Sequence, residues 1–203
     1  MSDMQRPTPR YRETKFGVTR ITVTDGAPGV RYLQADLALG AYARRIADYL
    51  VHWAEITPDQ TFLARRKQLP DGTTGEWLHI TYAQALESAR SIGQALLDRG
   101  LSPERPVVIL SENSLEHAMM ALGCLYAGVP YCPVSPAYAT VSQDYEKLRH
   151  VMDTLTPGLV FVADASRYGA GVAATVGSDV EVVAVAGQMQ GRVATSYASL
   201  LAT

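Results

Sequence analysis

The chain has 203 residues, 47% hydrophobic and 19% charged, with a formal net charge of -2. These values fit one globular domain, or one and part of a second, with enough length to bury a sizeable core. They exclude the basic footprint that nucleic acid or an anionic membrane surface would require.

The first fifteen residues, MSDMQRPTPRYRETK, are polar and carry Arg6, Arg10, Arg12 and Lys15. They lack the apolar core of a signal peptide and are expected to form a mobile tail, 1–15. Phe16 to Thr24 alternates and is β-branched, DGAPG makes a turn, and VRYLQA returns, so 16–35 reads as a β-hairpin. Ala43 to Ile56 has Ile46, Leu50, Trp53 and Ile56 at helical spacing, which predicts an amphipathic helix with those residues facing inward. Two strands, TFLARR and EWLHI, follow around the turn LPDGTTGE.

Thr81 begins a second helix, with Gln84 three residues on to complete a capping box and Gly100 to stop it. From there strands and helices alternate. PVVIL is a continuous apolar strand, and Asn113 or Ser114 caps a helix that runs to Ala127 and ends at Gly128. VPYCPV is a strand that two prolines make short, bulged or paired on one side only. Ser142 starts a helix to about Leu155; GLVFVA is a strand, Ala165 to Val176 a weaker helix, and VEVVAV a strand. Strands joined by single helices need crossovers, which give a parallel sheet, and unbroken apolar runs fit strands covered on both faces. The fold class is therefore α/β, a doubly wound and mostly parallel layer over 43–203, preceded by the hairpin.

Cys124 and Cys132 show neither disulfide-framework nor zinc spacing, so burial and a cytoplasmic location are expected. The longest uncharged apolar run, Ala118 to Val134, is short for a membrane span and broken by Pro130 and Pro133, so no membrane partner is expected. GAGVAA at Gly169 to Ala174 matches a dinucleotide fingerprint, but DASRY separates it from its strand and no acid ends the next strand. Small residues packing a helix onto the sheet account for it. SENS at Ser111 to Ser114 offers hydroxyls and amides to an anion, or simply a helix cap. His52, His79, His117 and His150 pair with no recognisable nucleophile in sequence. The loop SPAYATVSQD places hydroxyls of Ser135, Tyr138, Thr140 and Ser142 beyond a strand end, where open α/β sheets bind ligands. On spacing alone this is an α/β domain without a complete active site.

One strip is more specific. VVILSENSLEHAMMALGCLYAGVPYCPVSPAYATVSQDYEKLRHVMDTLTPGLVFVAD resembles the amino-terminal region of adenylate-forming enzymes, the superfamily of acyl- and aryl-CoA synthetases, luciferase and peptide-synthetase adenylation domains. Upstream, WAEITPDQTFLARR and ITYAQALESARSIGQALLDRGLSPERPVVIL extend the likeness, which spans about residues 40 to 185. Within that superfamily PVSPAYATVSQDYEKLRHVMDTLTPGLVFVADASRY looks most like feruloyl-CoA synthetases.

The resemblance implies ATP, Mg²⁺ and CoA as cofactors and a hydroxycinnamate such as ferulate as substrate. The family's Ser/Thr/Gly-rich phosphate loop, its acidic magnesium motif, its ribose-binding Asp and its C-terminal catalytic Lys have no counterpart here. The expectation is thus an amino-terminal fragment of the large domain, inactive alone, with no catalytic residue and no metal ligand of its own. Ser135, Tyr138 and Ser142 are the candidate channel-lining groups. An exposed sheet edge would favour self-association. The alternative is a non-catalytic ligand-binding or interaction module.

Overall fold

The computed structural model describes residues 20–69 and 71–203. The predicted tail, and the hairpin residues before position 20, lie outside the described residues. The described residues fall into two compact units, divided after Tyr42.

In the first unit, β1 (Ile21–Asp25) pairs antiparallel with β2 (Arg31–Ala35). Among the described residues the hairpin runs from Ile21 to Ala35. Its register sets Ile21 opposite Ala35 and Val23 opposite Leu33, which puts the apolar residues on one face of the ribbon. An Asp25–Arg31 ion pair at 3.4 Å closes the turn end.

The second unit opens with α1 (Ile46–Ile56), held at its start by the Asp48 carboxylate, which accepts from the Arg45 amide and guanidinium. Its inward face differs from the one periodicity suggests. Ala47, Leu50 and Ala54 are buried, whereas Ile46, Trp53 and Ile56 are exposed. The small alanines let the helix sit close, and Trp53 instead lies against His52 and Tyr82 at its rim. β3 (Thr61–Gln68) and β4 (Thr74–Thr81) form an antiparallel pair. Thr81 then caps α2 (Tyr82–Asp98) through the expected reciprocal box: the Gln84 amide donates to Thr81 Oγ1 and the Thr81 amide to Gln84 Oε1.

The main sheet has five strands in the order β6-β5-β7-β8-β9, all parallel. They are β5 (Val107–Leu110), β6 (Tyr131–Pro133), β7 (Leu159–Asp164), β8 (Glu181–Ala186) and β9 (Thr195–Ser196). Alternate residues feed two separate cores. Val107, Ile109, Leu159, Phe161 and Val183 pack with α1, α2, α3 (Leu115–Ala127) and α7 (Ala198–Leu201). Val108, Leu110, Val160, Val162 and Val182 pack with α4 (Ala137–Thr140), α5 (Glu146–Leu155) and α6 (Ala165–Thr175) on the other face. This is the doubly wound layer that the unbroken apolar strands imply. Among the described residues, no helix is long and apolar enough to cross a membrane.

β6 is three residues long and, among the described residues, pairs only with β5, which suits its prolines. Gly128 ends α3 at φ +75°. The helix expected from Ser142 begins later, at Glu146, and the four-residue α4 precedes it. The Tyr145 amide donates to Ser142 Oγ, which in turn donates to Asp144. These local bonds hold a turn, with Tyr145 at φ +56°, in place of a first helical turn.

Candidate functional site

Strand order reverses beside β5. The chain leaves β5 toward β6 on one side and returns to β7 on the other. In an open parallel sheet the crevice at such a switch point, beyond the carboxyl ends of the strands, is where ligands bind. Its walls here are the segment Ser111–Ser114 after β5 and the first turn of α6 after β7.

Ser114 caps α3, its Oγ accepting from the His117 amide at 3.0 Å. His117 Nδ1 in turn meets the Ser111 hydroxyl at 2.8 Å. A serine bonded to a histidine suggests a nucleophile. Ser111 is only 4% exposed, however. A hydroxyl that substrate cannot reach anchors the loop instead.

Opposite, the sequence Asp164–Tyr168 spends nearly every side chain on the edge. Asp164 Oδ1 accepts from the Ser166 and Arg167 amides and so caps α6. Ser166 Oγ accepts from the Gln188 amide at 3.1 Å, holding the chain as it leaves β8. Tyr168 is fully buried, and its hydroxyl donates to Glu112 at 2.5 Å. Arg167 reaches the other Glu112 oxygen at 2.7 Å.

A carboxylate–phenol–guanidinium link therefore spans the switch-point crevice. Burial pushes the Glu112 carboxyl up, but the Tyr168 hydroxyl and the Arg167 and Arg65 guanidiniums outweigh it and hold it below its ordinary value. Tyr168 shifts the opposite way, pushed up by burial and by the carboxylate it bonds.

Beside this link lies a cleft of about 290 Å³ lined by Leu63, Arg65, Asn113, Ser114, Leu115 and His117. A larger space of about 700 Å³ around Asp179, Glu181 and Arg192 sits at the amino ends of the strands. There the Arg192 guanidinium caps the end of α6 through the Val176, Gly177 and Val180 carbonyls. That space is on the wrong side of the sheet for a ligand site of this architecture.

The sequence-predicted channel residues occupy a different place. Ser135, Tyr138 and Ser142 follow β6, at the edge of the sheet rather than at the crevice. Ser135 is exposed and its carbonyl accepts from the Tyr138 amide. Tyr138 is half-buried, with the Lys147 ammonium 5.7 Å from its ring centre. Ser142 is committed to its turn. The three belong to one short segment without converging on a common point.

Of the three residues the crevice brings together, Glu112 lies in the SENS segment, singled out for its hydroxyls and amides rather than this carboxylate, and Arg167 and Tyr168 carry no sequence motif. Glu112 and Tyr168 are 56 positions apart. The small residues of GAGVAA pack closely, Gly169 against Met189 after β8 and Gly171 against a helix rather than against the sheet. A Cβ on Gly171 would stand 2.8 Å from Ala139 of α4.

Among the described residues no group of three or more His, Cys, Asp or Glu is placed to hold a metal ion. The residues here that could meet a nucleotide or an acyl group are the exposed polar atoms of the crevice rim and of the segment after β6.

Comparison with known proteins agrees with this architecture. The chain is 31% identical over 110 residues to a mycosubtilin synthase of Bacillus subtilis, covering 53% of this chain and 4% of that protein. It is 30% identical over 118 residues to luciferin 4-monooxygenase of Photinus pyralis, covering 47% of this chain and 20% of that protein. The chain thus spans a fifth or less of the length of these relatives. A nonribosomal peptide synthetase solved with AMPPNP bound superposes with a TM-score of 0.56 at 22% identity, over 73% of this chain and 14% of that one. The family described as AMP-binding enzyme matches residues 50–199. By that match, over most of its length, the chain belongs to the AMP-binding enzyme family.

Proposed function

We propose that this chain forms part of the large domain of an ATP-dependent aryl-CoA ligase of feruloyl type. In the reaction a hydroxycinnamate carboxylate oxygen attacks the α-phosphorus of ATP and pyrophosphate leaves. The thiol of CoA then attacks the acyl carbonyl of the adenylate, giving the thioester and AMP. ATP use rests on family membership. The CoA and hydroxycinnamate steps rest on the resemblance of Pro133–Tyr168 to feruloyl-CoA synthetases. The observation that carries the reading is the parallel layer over the same residues that match the family, with its switch-point crevice facing the carboxyl edge.

In this reading the 203 residues supply scaffold and part of a channel wall. Ser135, Tyr138 and Ser142 line the acyl or CoA channel, with Lys147 holding the Tyr138 ring. Transfer of a nucleotidyl group is mostly positioning and charge stabilisation, and the groups for it are expected elsewhere in the enzyme. The 203-residue chain alone is therefore expected to be inactive. Its self-association is expected at the open β6 and β9 edges.

The test is thioester formation by the natural gene product, given ATP, Mg²⁺ and CoA with ferulate, a long-chain fatty acid or an amino acid. Feruloyl-CoA as the preferred product supports the proposal. Reaction with the fatty acid or the amino acid but not ferulate overturns it. Likeness to the mycosubtilin synthase, with the resemblance to peptide-synthetase adenylation domains, favours the amino acid as the second reading. A non-catalytic module would activate none of the three.

A further inference from the structure

We propose that the first turn of α6 is a conformational coupler that makes the two sides of the ligand-facing edge open and close together. The segment after β5 and the segment after β8 are separated by β7 in the sheet. Among the described residues no hydrogen bond joins 111–114 directly to 187–191. Each is tied instead to the same five-residue stretch.

Three links define it. Toward β5, Tyr168 and Arg167 hold the Glu112 carboxylate at 2.5 and 2.7 Å. Toward β8, Ser166 Oγ accepts from the Gln188 amide at 3.1 Å. At the centre, Asp164 Oδ1 accepts from the Ser166 and Arg167 amides at 2.8 and 3.3 Å. One carboxylate thus fixes the two residues that reach in opposite directions.

The geometry leaves little slack. Gly187 sits at φ +77°, and a Cβ there would stand 2.2 Å from Asp164 Oδ1 and 2.6 Å from Ser166 Oγ. The chain leaving β8 is pressed against the turn. On the other side Tyr168 is wholly buried in the second core, so its hydroxyl moves only if α6 moves. A turn bonded at both ends, to Glu112 on one side and to the Gln188 amide on the other, has few ways to release one without disturbing the other. The coupling follows from the fold and holds whichever carboxylate the enzyme activates.

The test is site-resolved amide hydrogen exchange on the full 203-residue chain, which reads local opening segment by segment. The His117 amide, bonded to Ser114 Oγ, reports on the β5 side. The Gln188 amide reports on the β8 side. Tyr168→Phe removes one hydroxyl on the β5 side and leaves Ser166 intact. Ser166→Ala removes the acceptor on the β8 side and leaves Glu112 intact.

The coupler predicts that Tyr168→Phe speeds exchange at Gln188, and Ser166→Ala speeds it at His117, by about threefold or more, with α2 amides unchanged. Arg167→Ala, at a half-exposed side chain, should reproduce the effect at Gln188. Faster exchange confined to each variant's own side overturns the proposal. So does an equal rise throughout α2, which would mean general loosening.

Discussion

Gly123 of α3 passes Ile92 of α2 with no room for a side chain. A Cβ at position 123 would lie 2.4 Å from Ile92 Cγ2, and the backbone nitrogen of Gly93 would be 3.3 Å away. This crossing brings both helices down on the first core, where Ile92, Met120 and Cys124 are fully buried. Gly123→Ala is expected to lower unfolding free energy by about 1–3 kcal/mol through overpacking. Urea denaturation with an unchanged m-value checks this. A neutral substitution would show that the helices separate more easily than the packing implies.

The link across the crevice has a pH signature. The Glu112 carboxyl is held below its ordinary value, so the folded chain binds its proton less readily than the unfolded chain. Its contribution is fully present above the unfolded value and is lost as pH falls through the lowered folded value. Glu112→Gln should therefore be less stable than the parent at pH 7. The gap should narrow as pH is brought below about 4, near the ordinary glutamate range. Thermal melts of both proteins across that range decide it, and a gap independent of pH would remove charge from the account.

The two thiols should separate cleanly. Burial pushes the Cys124 thiol up to about 12, so almost none is thiolate at pH 8. Cys132, in the short edge strand, is partly exposed. A disulfide reagent at pH 8 is expected to modify one thiol per native chain quickly and the second only on unfolding. Two thiols reacting together would contradict the packing of α3.

The Thr81 box is a further test of local structure. Both reciprocal bonds are present, at 3.3 and 2.9 Å. Thr81→Ala should cost about 1 kcal/mol, read by chemical denaturation, and Thr81→Ser should recover most of it.

Much of this fold can be read from residues that act locally. Thr81, Ser114, Gly100 and Gly128 mark helix ends because their bonds or backbone angles involve neighbours a few positions away. The unbroken apolar strands announce a sheet covered on both faces. Other features depend on distant partners. Ala47 and Ala54, rather than Ile46 and Trp53, face inward because a close approach to the core favours small side chains there. β9 is two residues long and exists only through its pairing with β8. The crevice link is the clearest case: neither Glu112 nor Tyr168 means anything in sequence until the order of strands brings β5 and β7 side by side.

The central functional claim concerns which carboxylate is adenylated. The most direct measurement is ferulate-dependent exchange of labelled pyrophosphate into ATP by the natural gene product, with Tyr138→Ala alongside. The account predicts exchange that requires ferulate, and a KM for ferulate altered severalfold in the variant. Exchange driven by amino acids or fatty acids while ferulate gives none would contradict it.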